Sequence, residues 1–192
     1  MNNYDNYISP FTWRYGTEEM RLLWSETNKF KTWRQIWVAL AKAQQQAGLV
    51  SQEELNDLEK YKNDIDIERI NEIEKEVDHD LFSGIKEFAE KAKVGGGKIH
   101  FGATSMDIVD NADALRITAS LSLIEMKLKK LLDLFAEKTG QYADTPCMGY
   151  THIQPAEPTT IGYRFAFYAQ DLLNDLLLLQ FVKTNFRAKG FK

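Results

Sequence analysis

A chain of 192 residues is long enough for one or two domains with a sizeable core. Hydrophobic residues make up 44% and charged residues 27%, an ordinary globular balance, and a net charge of −4 argues against a nonspecific nucleic-acid or membrane-surface binder. The single cysteine, Cys147, excludes an intramolecular disulfide, makes a reducing cytosol the expected compartment, and is expected to serve as buried packing.

The first residues, Met1-Asn-Asn-Tyr-Asp-Asn-Tyr7, have neither a basic region nor an apolar run and do not form a signal peptide. Residues 1–16, with Pro10 and Gly16, read as an extended arm closed by Arg14-Tyr15. Thr17 reads as an N-cap, with Glu18 and Glu19 placed to complement the dipole of a helix running to Ser25. A longer helix follows from about Phe30 to Ala47. Trp33, Trp37, Leu40, Ala41 and Gln44 fall on one side of it, and Gly48 suits the position after its end. Ser51-Gln-Glu-Glu54 is a capping box opening a short helix. A polar break at 61–67 precedes helices at Ile67–Glu74 and Asp80–Ala92.

Val94-Gly-Gly-Gly97 reads as a flexible joint, and Gly97-Lys98-Ile99 lacks the Lys-Ser/Thr pair of a phosphate-binding P-loop. The polar, small-residue segment Ile99 to Asn111 leads into a long helix, with Thr104 or Ser105 as its cap. From Ala112 to about Tyr142, Ile117, Leu121, Ile124, Leu128, Leu131 and Phe135 alternate steps of four and three. A second long helix runs from about Thr160 to Ala188. Its apolar run, Leu172 to Val182, is interrupted by Asn174 and Asp175 and is too short for a membrane span of about 20 apolar residues. Leucines on most sides of this helix predict burial on most sides, more than two helices supply, so further chain or neighbouring subunits are expected. The chain stops after Arg187-Ala-Lys-Gly-Phe-Lys192 with no closing element, as the N-terminal part of a longer polypeptide would.

Between the long helices lies Gly149-Tyr-Thr-His-Ile-Gln-Pro-Ala-Glu-Pro-Thr-Thr160. Pro155 and Pro158 forbid continuous helix, which puts His152 on a turn between two helices, with Thr151 beside it and Gln154 near. By itself the stretch also reads as a connector whose polar groups satisfy backbone. All three histidines of the chain, however, sit in polar islands: Asp78-His79-Asp80, His100-Phe-Gly-Ala-Thr-Ser105 and Thr151-His152. The first equally suits a helix N-terminus, and Thr104-Ser105 equally suits a cap. Zinc would want His-x-x-x-His or several cysteines, and neither is present. An acid–base reading is coherent. A histidine beside a carboxylate can donate a proton to a leaving group. The small-residue turn offers hydroxyls and N–H groups to an anion, and Arg14 can pair with phosphate or carboxylate while Tyr15 adds a hydroxyl.

Met148 to Gly162 resembles the Thr-His segment of the fumarase/aspartase lyase superfamily. Ile99 to Asn111 is similar to its His-x-Gly-x-Thr-Ser-x-Asp segment. Arg14-Tyr15, Glu19-Met20, Lys29 to Trp37 and His79-Asp80 are similar to the adenylosuccinate lyase family within it. The resemblance runs from about Arg14 to Lys192. It implies an all-α fold: a small N-terminal helical domain over residues 1–110, then the first long helices of a central bundle shared in a homotetramer, over 111–192. It also implies β-elimination of fumarate from adenylosuccinate, and the matching step on SAICAR, in the cytoplasm and without cofactor or metal, nucleic acid or membrane.

By resemblance, His152 is the general acid and His79 the histidine that assists it. Arg14, Tyr15, Asp78, His79, Asp80, Thr104, Ser105 and Thr151 match substrate-binding positions. Asp78 departs from the basic residue often found before His-Asp, and an acid there does not bind phosphate. Ile153 replaces a smaller residue after the Thr-His pair. The family's catalytic serine lies on a Gly/Ser-rich loop in a Ser-Ser-x-Met-Pro-x-Lys context, which these residues do not contain, and its site draws on three subunits. The 192-residue chain alone is therefore expected to be inactive. The rival readings are another superfamily lyase, acting on argininosuccinate or a carboxymuconate, and a noncatalytic helical assembly module.

Overall fold

The computed structural model describes residues 9–191. They fall into two compact units, the first within Met1–Ile117 and Arg187–Lys192, the second Thr118–Phe186. Both are helical, apart from one small hairpin in the second among the described residues. No helix of the described residues is long and apolar enough to cross a membrane.

The first unit opens with α1 (Pro10–Trp13) and α2 (Glu18–Leu23). The expected extended arm is corrected here: Ser9 accepts from the Phe11 N–H and Pro10 takes the first helical position, where its missing donor costs nothing, so one helical turn forms. The part of the arm over residues 1–8 lies outside the described residues. Thr17 caps α2 as expected, accepting from the Met20 N–H at 3.4 Å. α2 is shorter than predicted because Ser25 caps the next helix, accepting from the Asn28 N–H at 3.2 Å, so α3 (Glu26–Gln46) starts four residues earlier than the sequence suggests.

α3 is the spine of this unit. Phe30, Trp33, Trp37 and Ala41 recur at helical spacing and are buried. Phe30 and Trp33 meet edge to face at 5.1 Å, and Trp37 stacks on Phe88 at 6.3 Å. The helix ends in a Schellman motif: Gly48, at φ 75°, donates to the Gln45 carbonyl and Leu49 to that of Gln44. Both halves of the Ser51–Glu54 capping box form at the start of α4 (Gln52–Tyr61). α5 (Ile67–Val77) and α6 (Asp80–Lys91) pack Ile70, Leu81 and Phe88 into the same core, joined by Ile108 and Ala112 of α7 (Ser105–Gln141). Inside this core Arg34 pairs with Glu87, each side chain 1% exposed, and Arg34 also donates to the Tyr61 and Asp64 carbonyls.

The expected flexible joint at Val94–Gly97 is also corrected. It is a close-packed turn ending in a 3-10 segment, Gly96–Lys98. Asp57 accepts from the Val94 and Gly95 N–H groups at 2.8 and 3.0 Å. A Cβ on Gly95 would lie 2.5 Å from the Glu54 carbonyl oxygen, so the glycine is there for close approach, not for freedom.

In the second unit the C-terminal part of α7 runs antiparallel to α8 (Ile161–Asn185). Phe135 contacts Phe165 and Tyr168 near one end, and Lys183 meets Glu125 at 2.7 Å near the other. Thr160 caps α8, which ends three residues before the predicted Ala188. Its buried residues are Gly162 and Leu176 alone, while Tyr163, Phe167, Leu177, Leu178 and Phe181 are exposed, so the apolar sides predicted to be buried stay uncovered within the single chain.

Candidate active site

The Thr-His stretch carries the expected turn between two helices, and the turn is the tip of a β-hairpin that the sequence reading did not include. β1 (Pro146–Thr151) pairs antiparallel with β2 (Gln154–Thr160), with Tyr150 opposite Pro155 and Thr151 opposite Gln154. His152 and Ile153 are left as the two-residue tip, at φ 51° and 64°, the positive pair a type I′ turn needs. The prolines are tolerated because a two-stranded sheet has only edge strands. Gly149 marks a register shift. A Cβ there would lie 2.7 Å from the Glu157 carbonyl oxygen. The hairpin is seated at the junction of α7 and α8. Arg164 donates to the Met148 carbonyl at 2.6 Å, and the Ile161 and Gly162 N–H groups donate to Thr145 and Tyr142. Cys147, expected to be buried, is only partly covered on β1.

Thr151, His152 and Gln154 are exposed, and Ile153 is 92% exposed. His152 has no side-chain partner among the described residues. No carboxylate orients the His152 imidazole among the described residues of this unit.

The other islands lie in the first unit. Asp78 ends α5 in the left-handed region at φ 51°. His79 is the N-cap of α6: its Nδ1 accepts from the Phe82 N–H at 3.4 Å and lies 3.5 Å from Asp80 Oδ1. These two contacts want opposite states of Nδ1, a lone pair for Phe82 and a proton for Asp80. All three side chains are exposed. The helix-terminus reading of this run is therefore physically true, and it leaves the imidazole facing solvent.

His100 sits at φ 65° in a turn that also needs Gly102 at φ 73°. Trp37 Nε1–H donates to His100 Nδ1 at 3.2 Å. Burial pushes the imidazole below its usual range, the His79 ring acts the same way, and the Asp107 carboxylate opposes both. His79 and Asp107 thus both act on the His100 ring. Asp107 is fully buried and organises the Thr104-Ser105 segment: it accepts from the Thr104 N–H at 2.9 Å and from Lys189. Thr104 is the residue before α7, and the helix begins at Ser105, seven residues before the predicted Ala112.

Arg14 and Tyr15 follow α1 and are exposed, with the guanidinium 5.8 Å from the Tyr15 ring centre. The structure thus groups Asp78, His79 and Asp80 with His100 and Asp107 in one unit, and puts Thr151 and His152 in the other. Sequence reasoning gave no role to Asp107, Lys189 or Gln44. Asp107 did stand in the segment already singled out. The other two are long-range partners that spacing does not reveal.

The positive-φ, non-glycine residues of the described chain are Asp78, His100, His152 and Ile153. Asp78, His100 and His152 lie one in each of the three histidine islands, and Ile153 directly follows the third. Backbone in this region costs on the order of 1–3 kcal/mol per residue and persists where its surroundings hold it, most often at functional sites.

A family model described as Lyase matches residues 10–189. The chain is 40% identical over 176 residues to the adenylosuccinate lyase of Archaeoglobus fulgidus, covering 92% of this chain and 39% of that protein. It is 43% identical over 168 residues to the adenylosuccinate lyase of Methanocaldococcus jannaschii, covering 86% of this chain and 36% of that protein. Among solved structures, fumarate lyase from Mesorhizobium sp. BNC1 superposes with a TM-score of 0.79 at 26% identity, covering 88% of this chain and 41% of that one. The chain therefore spans about two fifths of the length of the curated relatives it matches.

Proposed function

This chain belongs to the lyase family, and on that premise we propose that the whole protein eliminates fumarate from adenylosuccinate to give AMP, and from SAICAR to give AICAR. The observation that supports this most is the likeness to adenylosuccinate lyases over almost the whole chain. The left-handed non-glycine residues of the described chain, which lie in or directly beside the histidine islands, add to it.

In the elimination, the Cβ–H proton goes to a base and its electron pair forms the fumarate double bond. The C–N bond breaks, and the leaving nitrogen takes a proton. His152 is the acid that protonates this nitrogen. His79, with Asp80 beside it, assists. Arg14, Tyr15, Asp78, Asp80, Thr104, Ser105 and Thr151 bind substrate, the Thr104-Ser105 turn and Arg14 through its anionic groups. The base belongs to the Gly/Ser-rich loop of the family, whose motif these 192 residues do not contain, so this chain alone does not turn over. The chemistry as read calls for neither cofactor nor metal.

We read residues 1–110 as a helical domain and 111–192 as the start of a bundle shared in a homotetramer, in the cytoplasm. The uncovered apolar sides of α8 support this reading. A partner copy would also supply the surroundings that the exposed hairpin tip lacks. The test is ultraviolet detection of fumarate from adenylosuccinate and, in parallel, from argininosuccinate, using the full-length protein. Turnover of the purine nucleotide alone is the expected result. Turnover of argininosuccinate alone overturns the substrate, and a folded tetramer inert toward both overturns the enzyme reading.

A further inference from the structure

Thr104 and Ser105 stand at the start of α7, where a hydroxyl ordinarily caps an unpaired N–H of the first helical turn. Here a carboxylate holds the turn instead. Asp107 Oδ2 accepts from the Thr104 N–H at 2.9 Å, and the Asp107 N–H donates to the Thr104 carbonyl at 2.9 Å. The Thr104 and Ser105 hydroxyls are left with no hydrogen-bond partner among the described residues, although both residues are half-buried.

Asp107 is fully buried, an unfavourable place for a charge unless it is paired. Its other oxygen, Oδ1, pairs with the Lys189 ammonium. Lys189 lies four residues beyond the end of α8, in the closing segment of the first unit. Two features fix it there. Ala188 and Phe191 line an apolar groove with Leu40 of α3 and Leu115 of α7, and the ammonium also donates to the Gly190 carbonyl at 3.0 Å. The approach to the turn is held from a second side, where Gln44 Nε2 of α3 donates to the Phe101 carbonyl at 2.7 Å.

We propose that Lys189 is a positioning residue of the substrate site: its ammonium holds the buried Asp107 carboxylate in place, and through it fixes the backbone of Thr104 and Ser105 with both hydroxyls free for an anionic group of the substrate. The proposal rests on the elimination reading given above, which assigns Thr104 and Ser105 to substrate binding. It adds to that site a residue 82 positions from Asp107 that acts only through the carboxylate.

Lys189→Met keeps the reach of the side chain and removes its charge. In the full-length protein, hydrogen–deuterium exchange read by mass spectrometry is expected to quicken about tenfold in peptides covering Thr104 to Ile108 and to stay as in the wild type in peptides of α5. KM for adenylosuccinate is expected to rise about tenfold with little change in kcat, and Lys189→Arg is expected to restore both readings. KM does not depend on the fraction of enzyme that is folded, so general destabilisation does not mimic this result. Unchanged exchange at the turn overturns the clamp. Quickened exchange with KM within about twofold of the wild type overturns the substrate role, as does a Lys189→Arg protein that keeps the raised KM. Asp107→Asn keeps the shape of the side chain without its charge and decides by the same readings if Lys189→Met does not fold. Where both fold, their effects on KM are expected not to add, because they break one clamp; additive effects overturn the proposal. A wild-type protein that eliminates nothing from adenylosuccinate, with exchange still quickened in Lys189→Met, removes the elimination reading and the substrate half of the proposal together and leaves the clamp standing.

Discussion

Replacing Arg34 with methionine removes the cation at the centre of the first unit. Arg34 and Glu87 are each 1% exposed, and burial pulls the guanidinium below its usual range while Glu87 opposes that pull. The variant leaves Glu87 with the Asp66 N–H at 3.1 Å and Lys91 at 3.3 Å, takes from the Asp64 carbonyl its Arg34 donor at 2.6 Å, and leaves the Tyr61 carbonyl, which loses Arg34 at 2.8 Å, with the Asp64 N–H at 3.1 Å. Breaking one side of a buried ion pair costs about 3–5 kcal/mol. A dry, unpaired carbonyl adds about 1–3 kcal/mol, which overlaps with that cost as water enters. The methionine recovers part of the packing over Phe88, whose ring centre lies 4.3 Å from the guanidinium carbon. A net loss of about 4 kcal/mol is expected, a large share of the roughly 5–15 kcal/mol available to a folded chain. Urea unfolding followed by tryptophan fluorescence reads this as a lower midpoint at constant slope, since Trp33 and Trp37 share the core. The double variant Arg34→Met/Glu87→Met is expected to recover at least half of the loss, because two apolar side chains replace the pair without leaving a charge behind. A loss below about 1 kcal/mol, the size typical of an exposed pair, would refute the reasoning, as would a double variant no better than the sum of the singles.

Three further expectations follow from the second unit. Ile153→Gly relieves a β-branched residue held at φ 64° and should raise stability by about 0.5–1 kcal/mol after glycine's own entropy cost, read as a higher urea midpoint; a lower one contradicts the strain. Gly162→Ala puts a Cβ 2.6 Å from the Thr139 carbonyl oxygen and 2.7 Å from Ala143, and should cost about 1–3 kcal/mol by thermal or urea unfolding; a neutral effect would mean the α7–α8 junction has room. Hydrogen bonds from Lys129, Lys183 and Gln180 hold the Glu125 carboxyl down at about 2, below its ordinary 4.5. Its folded pKa is depressed, so its contribution is present above 4.5 and is lost as pH falls toward 2; Glu125→Gln should flatten the pH dependence of stability in that window, and an unchanged profile contradicts the assignment.

Much of the helical frame was legible because its signals are local. The Ser51–Glu54 box, the Thr17 cap, Gly48 and the apolar spacing of α3 act over a few residues and fold as read. The hairpin was not legible. Its tip is His-Ile, not the Asn-Gly that announces a type I′ turn, and its second strand carries two prolines that read as breaks. The glycine run misled for a different reason: composition cannot distinguish a glycine that frees the chain from one that lets Glu54 and Ala89 approach. The capping role of His79 was open in the sequence and is filled by a ring nitrogen in place of the usual hydroxyl or carboxylate. The histidine islands themselves were visible as polar segments between apolar ones. The Trp37–His100, Lys189–Asp107 and Arg34–Glu87 contacts bridge 63, 82 and 53 residues, beyond any periodicity.

The most direct test of the central claim is fumarate release from adenylosuccinate by the full-length protein, wild type against His152→Ala. The account predicts turnover in the wild type and a loss of at least about 100-fold in a folded, correctly assembled variant, the size expected when a general acid is removed. A wild-type protein that releases no fumarate, or a His152→Ala protein within about tenfold of it, would contradict the assignment of His152 as the acid.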